Sequence, residues 1–327
     1  MKYLVPPSRC TAGLPDNLEL KHLIGEEKLD GSRYMLYLGC DPYERQAGNA
    51  LLSRRISVKD GKHVDRTENV PQITGIDYNG LSGTVIDGEI MATDFLGTNS
   101  IMNSGPALAV QKQEENGFLN FNIFDVPIFR GNDIRGLPLT ERRKVLLEVA
   151  KRMGNENIKV IPQITTDLAS YFKSIVNGGG EGLIIKDIRQ GYGCGWAKMK
   201  KSYDVSVVIS GWKPGKSGTK YESQIGSLAL SIYKDGGLVE IGFCSGFDDA
   251  LRKKMSDNFS DYKGKVIDIF AHEIQKGKSC TNGIGRLRHA TFHRFRDDVS
   301  PETITTEKLK EDLETGARSN RSKWRSK

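Results

Sequence analysis

Short apolar runs broken by glycine recur along the chain. Residues 32–39 (SRYMLYLG), 84–91 (TVIDGEIM), 118–126, 182–187 (GLIIKD), 205–212 (VSVVISGW), 228–233 (LALSIY) and 238–244 (LVEIGFC) are rich in β-branched and aromatic side chains. That composition predicts strands rather than helices. Helical spacing occurs in fewer places. Val145, Leu146, Val149 and Met153 form one stripe of a helix over about 140–153, with Thr140 as its cap. A second helix is predicted after Thr166 or Asp167, burying Leu168, Tyr171, Phe172, Ile175 and Val176, and a third over about 248–259.

A lysine-rich segment gives way near Tyr203–Asp204 to a new series of alternating strands. After about Pro301 the pattern decays, and Gly316–Lys327 holds five Lys or Arg and no acid, which reads as a mobile basic tail. No internal repeat is visible. The expected architecture is α+β: an antiparallel-sheet domain over 1–203, a small β-barrel over 204–310 and a tail over 311–327.

With 327 residues the chain exceeds what one hydrophobic core usually organises, in keeping with two domains. A net charge of +7 and a pI near 9.0 favour an anionic partner. The five cysteines, Cys10, Cys40, Cys194, Cys244 and Cys280, are scattered and form no C-x-x-C pair, so zinc and dithiol chemistry are not indicated and a reducing cytoplasm is expected. Only Tyr3, Leu4 and Val5 separate Lys2 from Pro6-Pro7, too short for a signal peptide, and no apolar stretch is long enough to span a bilayer. Neither secretion nor membrane insertion is expected.

The candidate chemistry centres on Lys28-Leu29-Asp30-Gly31-Ser32-Arg33. A lysine attacks phosphorus only when neutral, so a nucleophilic lysine needs nearby cations, a metal or burial to depress its pKa. Lys198, Lys200 and Lys201 are candidate sources of positive charge; strand alternation puts Lys198 and Lys200 on one face. Glu89 and Glu181 offer the hard oxygen ligands that magnesium prefers. Taken singly each piece also has a bland reading. K-x-D-G is equally a solvated turn, Glu89 an exposed strand residue, Glu181 the end of a glycine-rich loop, Phe124 a core residue, and the lysines near Trp196 a solvated face.

Their order along the chain resembles the ATP-dependent DNA ligases of the covalent nucleotidyltransferase superfamily, from about Glu26 to Thr305. Lys28–Arg33 matches K-x-D-G-x-R, which implies that Lys28 becomes adenylylated and that Asp30 acts in sealing. Glu26 occupies the position that contacts the adenine amino group, and Arg33 is implied to lie against the adenylate. Ser53-Arg54 is similar to an S-R element whose arginine binds the nick 5′-phosphate. Asp87-Gly88-Glu89 resembles D-G-E, with Glu89 near ribose and metal. Phe121–Asp125 resembles the aromatic motif ending F-D, which implies that Phe124 stacks on adenine. Glu181–Lys186 matches E-G-L-x-x-K, implying Glu181 as a metal ligand and Lys186 as a nucleotide contact. Trp196–Lys200 matches W-x-K-x-K, whose Lys198 and Lys200 touch the α-phosphate.

The resemblance implies a nucleotidyltransferase (adenylation) domain followed by an OB-fold, with ATP and Mg2+ (or Mn2+ in its place) as cofactors and nicked duplex DNA as partner, acting as a monomer. Lys213-Pro214-Gly215-Lys216 is similar to the DNA-facing loop of the ligase OB-fold, with Lys213 and Lys216 as contacts, although a solvated hairpin reads the same way. Arg296-Asp297-Asp298-Val299 resembles the closing R-x-D-K, but valine stands where the family has lysine. Arg296, Arg294 or a loop lysine is expected to compensate, with slower adenylylation. Only about 25 residues precede the nucleophile motif, which leaves no room for a helical DNA-binding domain and implies a minimal two-domain type. Rival readings are an RNA ligase or guanylyl-transferring capping enzyme, a nick-binding protein without chemistry, and a basic OB-fold binder.

Overall fold

The computed structural model describes residues 10–12, 20–44, 48–92, 95–271, 273–275, 283–315 and 317–319. The chain divides after Met199 into two compact units. It is a mixed α and β chain whose sheets are largely antiparallel.

The first unit holds a seven-stranded sheet. Its main path runs His63–Asp65, Ala50–Ile56, Ser32–Leu38, Thr84–Met91, Asn120–Phe129 and Asn132–Asp133, with Ile158–Val160 added in parallel to Asn120–Phe129. Strand 32–38 does not alternate in burial: Tyr34 through Leu38 are all buried. Both faces of the sheet are covered, which explains the continuous apolar run. Tyr34, Leu36, Leu51 and Ile86 join a core that includes Leu146, Val149 and Met153 of helix Leu139–Met153, while Met35, Tyr37, Leu52 and Val85 pack on the opposite face. The helix starts at Leu139 with Pro138 as its cap residue, so Thr140 lies in the first turn rather than capping it. Gly154 closes it in the left-handed conformation, where glycine carries no Cβ penalty.

A smaller sheet in the same unit pairs Leu23–Glu27 with Gly182–Asp187, which neighbours the long strand Ala197–Pro214. Helix Leu168–Asn177 covers it with Phe172 and Val176, and Asp167 caps the helix by accepting from the Ser170 amide at 3.1 Å. Two helices that the apolar pattern does not announce, Phe95–Met102 and Pro106–Asn116, precede strand 120–129. The second buries only Ala109 and Gln113, so its sequence carries little periodicity.

The second unit is built on a five-stranded barrel. Strands 197–214, 225–234, 237–245, 290–295 and 266–271 follow one another around it, and 266–271 returns to 197–214 to close the ring. All pairs are antiparallel except 237–245 with 290–295. Val205, Val207, Ile209, Leu230 and Ile269 point into its core. Helix Asp249–Asp257, capped by Asp248, matches the third expected helix.

The chain beyond Pro301 departs from expectation. Helix Thr306–Thr315 packs Leu309 into the barrel core, and Ala317–Ser319 pairs with Lys201–Tyr203. Part of the expected mobile tail is therefore structured, and 320–327 lie outside the described residues. Among the described residues Cys10, Cys40, Cys194 and Cys244 are free thiols, while Cys280 lies outside them. No helix among the described residues is long and apolar enough to cross a membrane.

Candidate active site

Lys28 sits in the turn between strands 23–27 and 32–38, its amide bonded to the Gly182 carbonyl at 2.9 Å. Its ammonium forms an ion pair with Glu181, at the start of strand 182–187. The turn is tightly held. A Cβ on Gly31 would lie 2.4 Å from the Ile90 carbonyl oxygen and 2.8 Å from Glu89 Cγ, so only glycine fits. Strand pairing sets Arg33 opposite Glu89 and Met35 opposite Asp87. Gly88 lets the Phe121 ring lie where its Cβ would be, at 2.5 Å. The D-G-E glycine thus packs the carboxylate-bearing strand against the strand that carries Phe124.

Arg33 donates from Nε to Asp87 at 2.9 Å and forms a second, ion-paired contact through Nη2. Asp87 is fully buried and also accepts from Tyr192 Oη at 2.6 Å. Burial opposes the Arg33 charge, but Asp87 more than offsets it and raises the guanidinium pKa. Glu89 lies beside this pair. Burial pushes its carboxyl up to about 7, helped by the charges of Asp87 and Glu181 and opposed by Lys28 and Arg33.

Next to these charges is an aromatic slot. Phe124 and Trp196 meet edge to face at 5.9 Å, Tyr192 meets Trp196 at 5.5 Å, and Ile161, Leu29 and Cys10 complete the cluster. Arg33 lies 5.2 Å from the Phe124 ring centre, and Lys186 Nζ lies 4.1 Å from that of Trp196. Lys186 is almost wholly buried and pairs with buried Glu26 at 2.5 Å, while Gln163 Nε2 donates to the other Glu26 oxygen at 2.9 Å. Lys28, Arg33, Lys186 and Lys198 all act electrostatically on the Cys10 thiol, whose pKa burial nevertheless raises. One small volume therefore gathers four cations, an aromatic slot and the carboxylates of Glu89 and Glu181, a set suited to a nucleoside triphosphate.

The family model described as the ATP dependent DNA ligase domain matches residues 13–202. The chain belongs to the ATP-dependent DNA ligase domain family. Two similar curated proteins are a DNA ligase of Methanocorpusculum labreanum, 28% identical over 323 residues, and DNA ligase 2 of Korarchaeum cryptofilum, 26% identical over 341. Each alignment covers 87% of this chain, and 53% and 54% of the respective relative. The chain spans about half the length of these curated relatives. A solved structure from a structure-function study of Lig E DNA ligases shares its fold, with a TM-score of 0.63 and 20% identity over 90% of this chain and 100% of that one.

Within this ligase-family chain, Glu26, Lys28, Arg33, Glu89, Phe124, Glu181, Lys186 and Lys198 gather in the first unit, with Asp30 exposed in the Lys28 turn. Arg54 is in the same unit, exposed on strand 50–56. Lys200, Lys213, Lys216 and Arg296 belong to the second unit. There Lys213 Nζ sits 3.8 Å from the Phe243 ring centre, and Lys216 is exposed. They lie where strands 197–214 and 225–234 join as a solvent-exposed hairpin, in whose loop Gly215 packs on the Tyr221 backbone so closely that a Cβ would lie 2.1 Å from its carbonyl oxygen. Arg296 is held by Asp298 at 2.7 and 2.9 Å and by Asp268 at 3.2 Å. Val299 packs against the barrel core.

Sequence reasoning passed over several participants. Asp87 stood inside the quoted motif, but nothing marked it as the partner of Arg33. Tyr192 and Gln163 lie in segments without any pattern. Asp125, next to Phe124, is fully buried and receives two hydrogen bonds from the equally buried Arg142, at 2.8 and 2.9 Å. A helix-face arginine usually signals solvent, so Arg142 gave no sign of burial. Among the described residues the one cluster of three close metal-ligand side chains is Asp204, Asp268 and His293 in the second unit, and Asp268 there is already paired with Arg294 and Arg296.

Proposed function

We propose that this chain is an ATP-dependent DNA ligase that seals 5′-phosphate/3′-hydroxyl nicks in duplex DNA. Family membership supports the reading, and one observation carries it: Lys28, held by Glu181, adjoins the slot of Phe124 and Trp196 through its neighbour Leu29. In the first step Lys28 Nζ attacks the α-phosphate of ATP, a P–N bond forms and pyrophosphate leaves. AMP then passes to the 5′-phosphate of the nick, and the 3′-hydroxyl displaces AMP as the new phosphodiester forms.

In this reading Phe124 stacks on the adenine, Glu26 and Lys186 line its edge, and Arg33 and Lys198 face the phosphates. Asp30 serves the sealing step, and Lys200 and Arg296 are further phosphate contacts. Glu89 and Glu181 fit magnesium, or manganese in its place, by their hard oxygen donors. Magnesium bound through one or two carboxylates keeps water and substrate phosphates in the rest of its shell. When bound, the ion neutralises charge on the reacting phosphates.

Residues 1–203 are proposed as the nucleotidyltransferase domain and 204–310 as an OB-fold. The closed five-stranded barrel with its single parallel pair supports the latter. Arg54, Lys213 and Lys216 then contact the DNA backbone without reading sequence. The protein is proposed to act as a monomer in the cytoplasm.

The test is incubation of the purified protein with labelled ATP or GTP and Mg2+, followed by mapping of the modified residue and addition of nicked DNA or RNA. Label from ATP on Lys28, its absence in Lys28→Ala and joining of nicked DNA are the expected results. Label on another residue, preference for GTP, or joining of RNA alone would overturn the proposal.

A further inference from the structure

The hairpin formed by strands Ala50–Ile56 and His63–Asp65 is internally well braced and carries exposed side chains at its end. Pairing of Leu52 with Asp65 and of Ile56 with His63 leaves Ser53, Arg54 and Arg55 opposite the single residue Val64. Such a bulge re-aims side chains. Ser53 fixes it by bonding through Oγ to both the amide and the carbonyl of Arg55 at 3.1 Å, and His63 Nδ1 lies 2.8 Å from the Ser53 carbonyl. Both arginines are turned out to solvent.

The turn beyond is equally defined. Ser57 and Lys62 close it by a backbone bond of 2.8 Å, Ser57 Oγ accepts from the Lys59 amide at 3.2 Å, and Asp60 accepts from the Lys62 amide at 3.2 Å. At its apex Val58 is 103% exposed, and Ile56 on the flank is 56% exposed. A hairpin with so many internal bonds does not need two aliphatic side chains in water. Between Ser53 and His63 stand four cations, Arg54, Arg55, Lys59 and Lys62, against one carboxylate, and that carboxylate is turned back onto the turn.

We infer that this hairpin is a docking finger for duplex DNA, in which Arg55 and Lys59 meet phosphates while Val58 and Ile56 lie against the sugar edges of the minor groove. The inference rests on the ligase reading above and extends it to a surface beyond the S-R pair. Four cations suit a polyphosphate backbone, and exposed aliphatic tips suit the minor groove, through which architectural proteins insert apolar wedges between base steps. The solvent-facing arginines give the finger its hold, and the aliphatic tip gives it a preference for two strands over one.

The experiment compares the full chain with Ile56→Ser/Val58→Ser and with Arg55→Gln/Lys59→Gln, measuring affinity for nicked duplex and for single-stranded DNA across a salt series. The serine pair should weaken duplex binding roughly fivefold with an unchanged salt slope. The glutamine pair should lower the salt slope by about 1.8, since each lost phosphate contact removes about 0.9. Lysyl-AMP formation should be unchanged in both, because neither pair belongs to the nucleotide site. Unaltered duplex affinity in either variant, or equal loss on single strands for the serine pair, would overturn the inference. Absence of lysyl-AMP in the wild-type protein would instead overturn the proposed function and leave the binding comparison standing.

Discussion

Replacing Arg142 with methionine probes how the floor beneath Phe124 is held. Arg142 and Asp125 are both fully buried and share two parallel hydrogen bonds at 2.8 and 2.9 Å. The guanidinium also serves the carbonyls of Leu137 and Gln190, the latter at 3.1 Å. With Arg142 gone, Asp125 keeps the Val126 amide at 2.9 Å but loses its charge partner in an environment that excludes water. Breaking one side of a buried ion pair costs about 3–5 kcal/mol. Removing both charges is far gentler, so Asp125→Asn/Arg142→Met should recover at least about 2 kcal/mol relative to Arg142→Met. Urea unfolding followed by circular dichroism on wild type, both single variants and the double closes the cycle. Because Phe124 precedes Asp125, Arg142→Met should also raise the ATP concentration needed for adenylylation. A loss below about 1 kcal/mol in Arg142→Met, or a double variant as unstable as the sum of the singles, would refute the argument.

Three further outcomes are expected. Phe124→Ala should raise the ATP requirement for adenylylation roughly fivefold to 150-fold, as stacking on an aromatic is worth on the order of 1–3 kcal/mol, with little change at saturating ATP; an unchanged requirement removes Phe124 from the adenine slot. Gly88→Ala should destabilise the protein by about 1–3 kcal/mol through collision with Phe121 and the Asn122 carbonyl, whereas Gly136→Ala, whose new Cβ meets nothing within 4 Å, should be neutral in the same melts. Glu89 carries a folded pKa of about 7, raised from 4.5. Its neutral form thus favours the fold below about pH 4.5, and that contribution, on the order of 3 kcal/mol, is lost as pH rises through 7. Metal-free Glu89→Gln should lack this decline, and parallel pH dependence in both proteins would refute the assignment.

The strands were legible wherever β-branched and aromatic side chains fill a continuous buried run, as in Tyr34–Leu38 of the first unit and Val205–Ile209 of the barrel. Helix 168–177 was legible from its cap and its stripe. Helix 106–116 was not, because so little of it is buried, and helix 306–315 was read as decay because its charged positions outnumber the few, including Leu309, that reach the core. The site showed the same division. Residues carried by motifs, Lys28, Glu89, Phe124, Glu181 and Lys186, gather in one place. Their partners Asp87, Tyr192, Gln163 and Arg142 come from a strand, two loops and a helix that meet only in the fold, and pairing across such distances leaves no trace in local spacing. Val299 was legible as a departure from the motif, and the structure shows what the valine does instead: half-buried, it packs against the outside of the barrel core.

Closure of the second unit's barrel has a further consequence. Among the described residues each of the five barrel strands bonds to a neighbour on either side, strand 237–245 meeting 290–295 at two positions, so no strand of the cylinder is a simple edge strand open to a neighbouring chain. Aggregation through strand addition is thereby suppressed in a sequence rich in β-formers. New length is best accommodated at the connections, where the cylinder stays intact, and that is where lineages diversifying this scaffold would insert it.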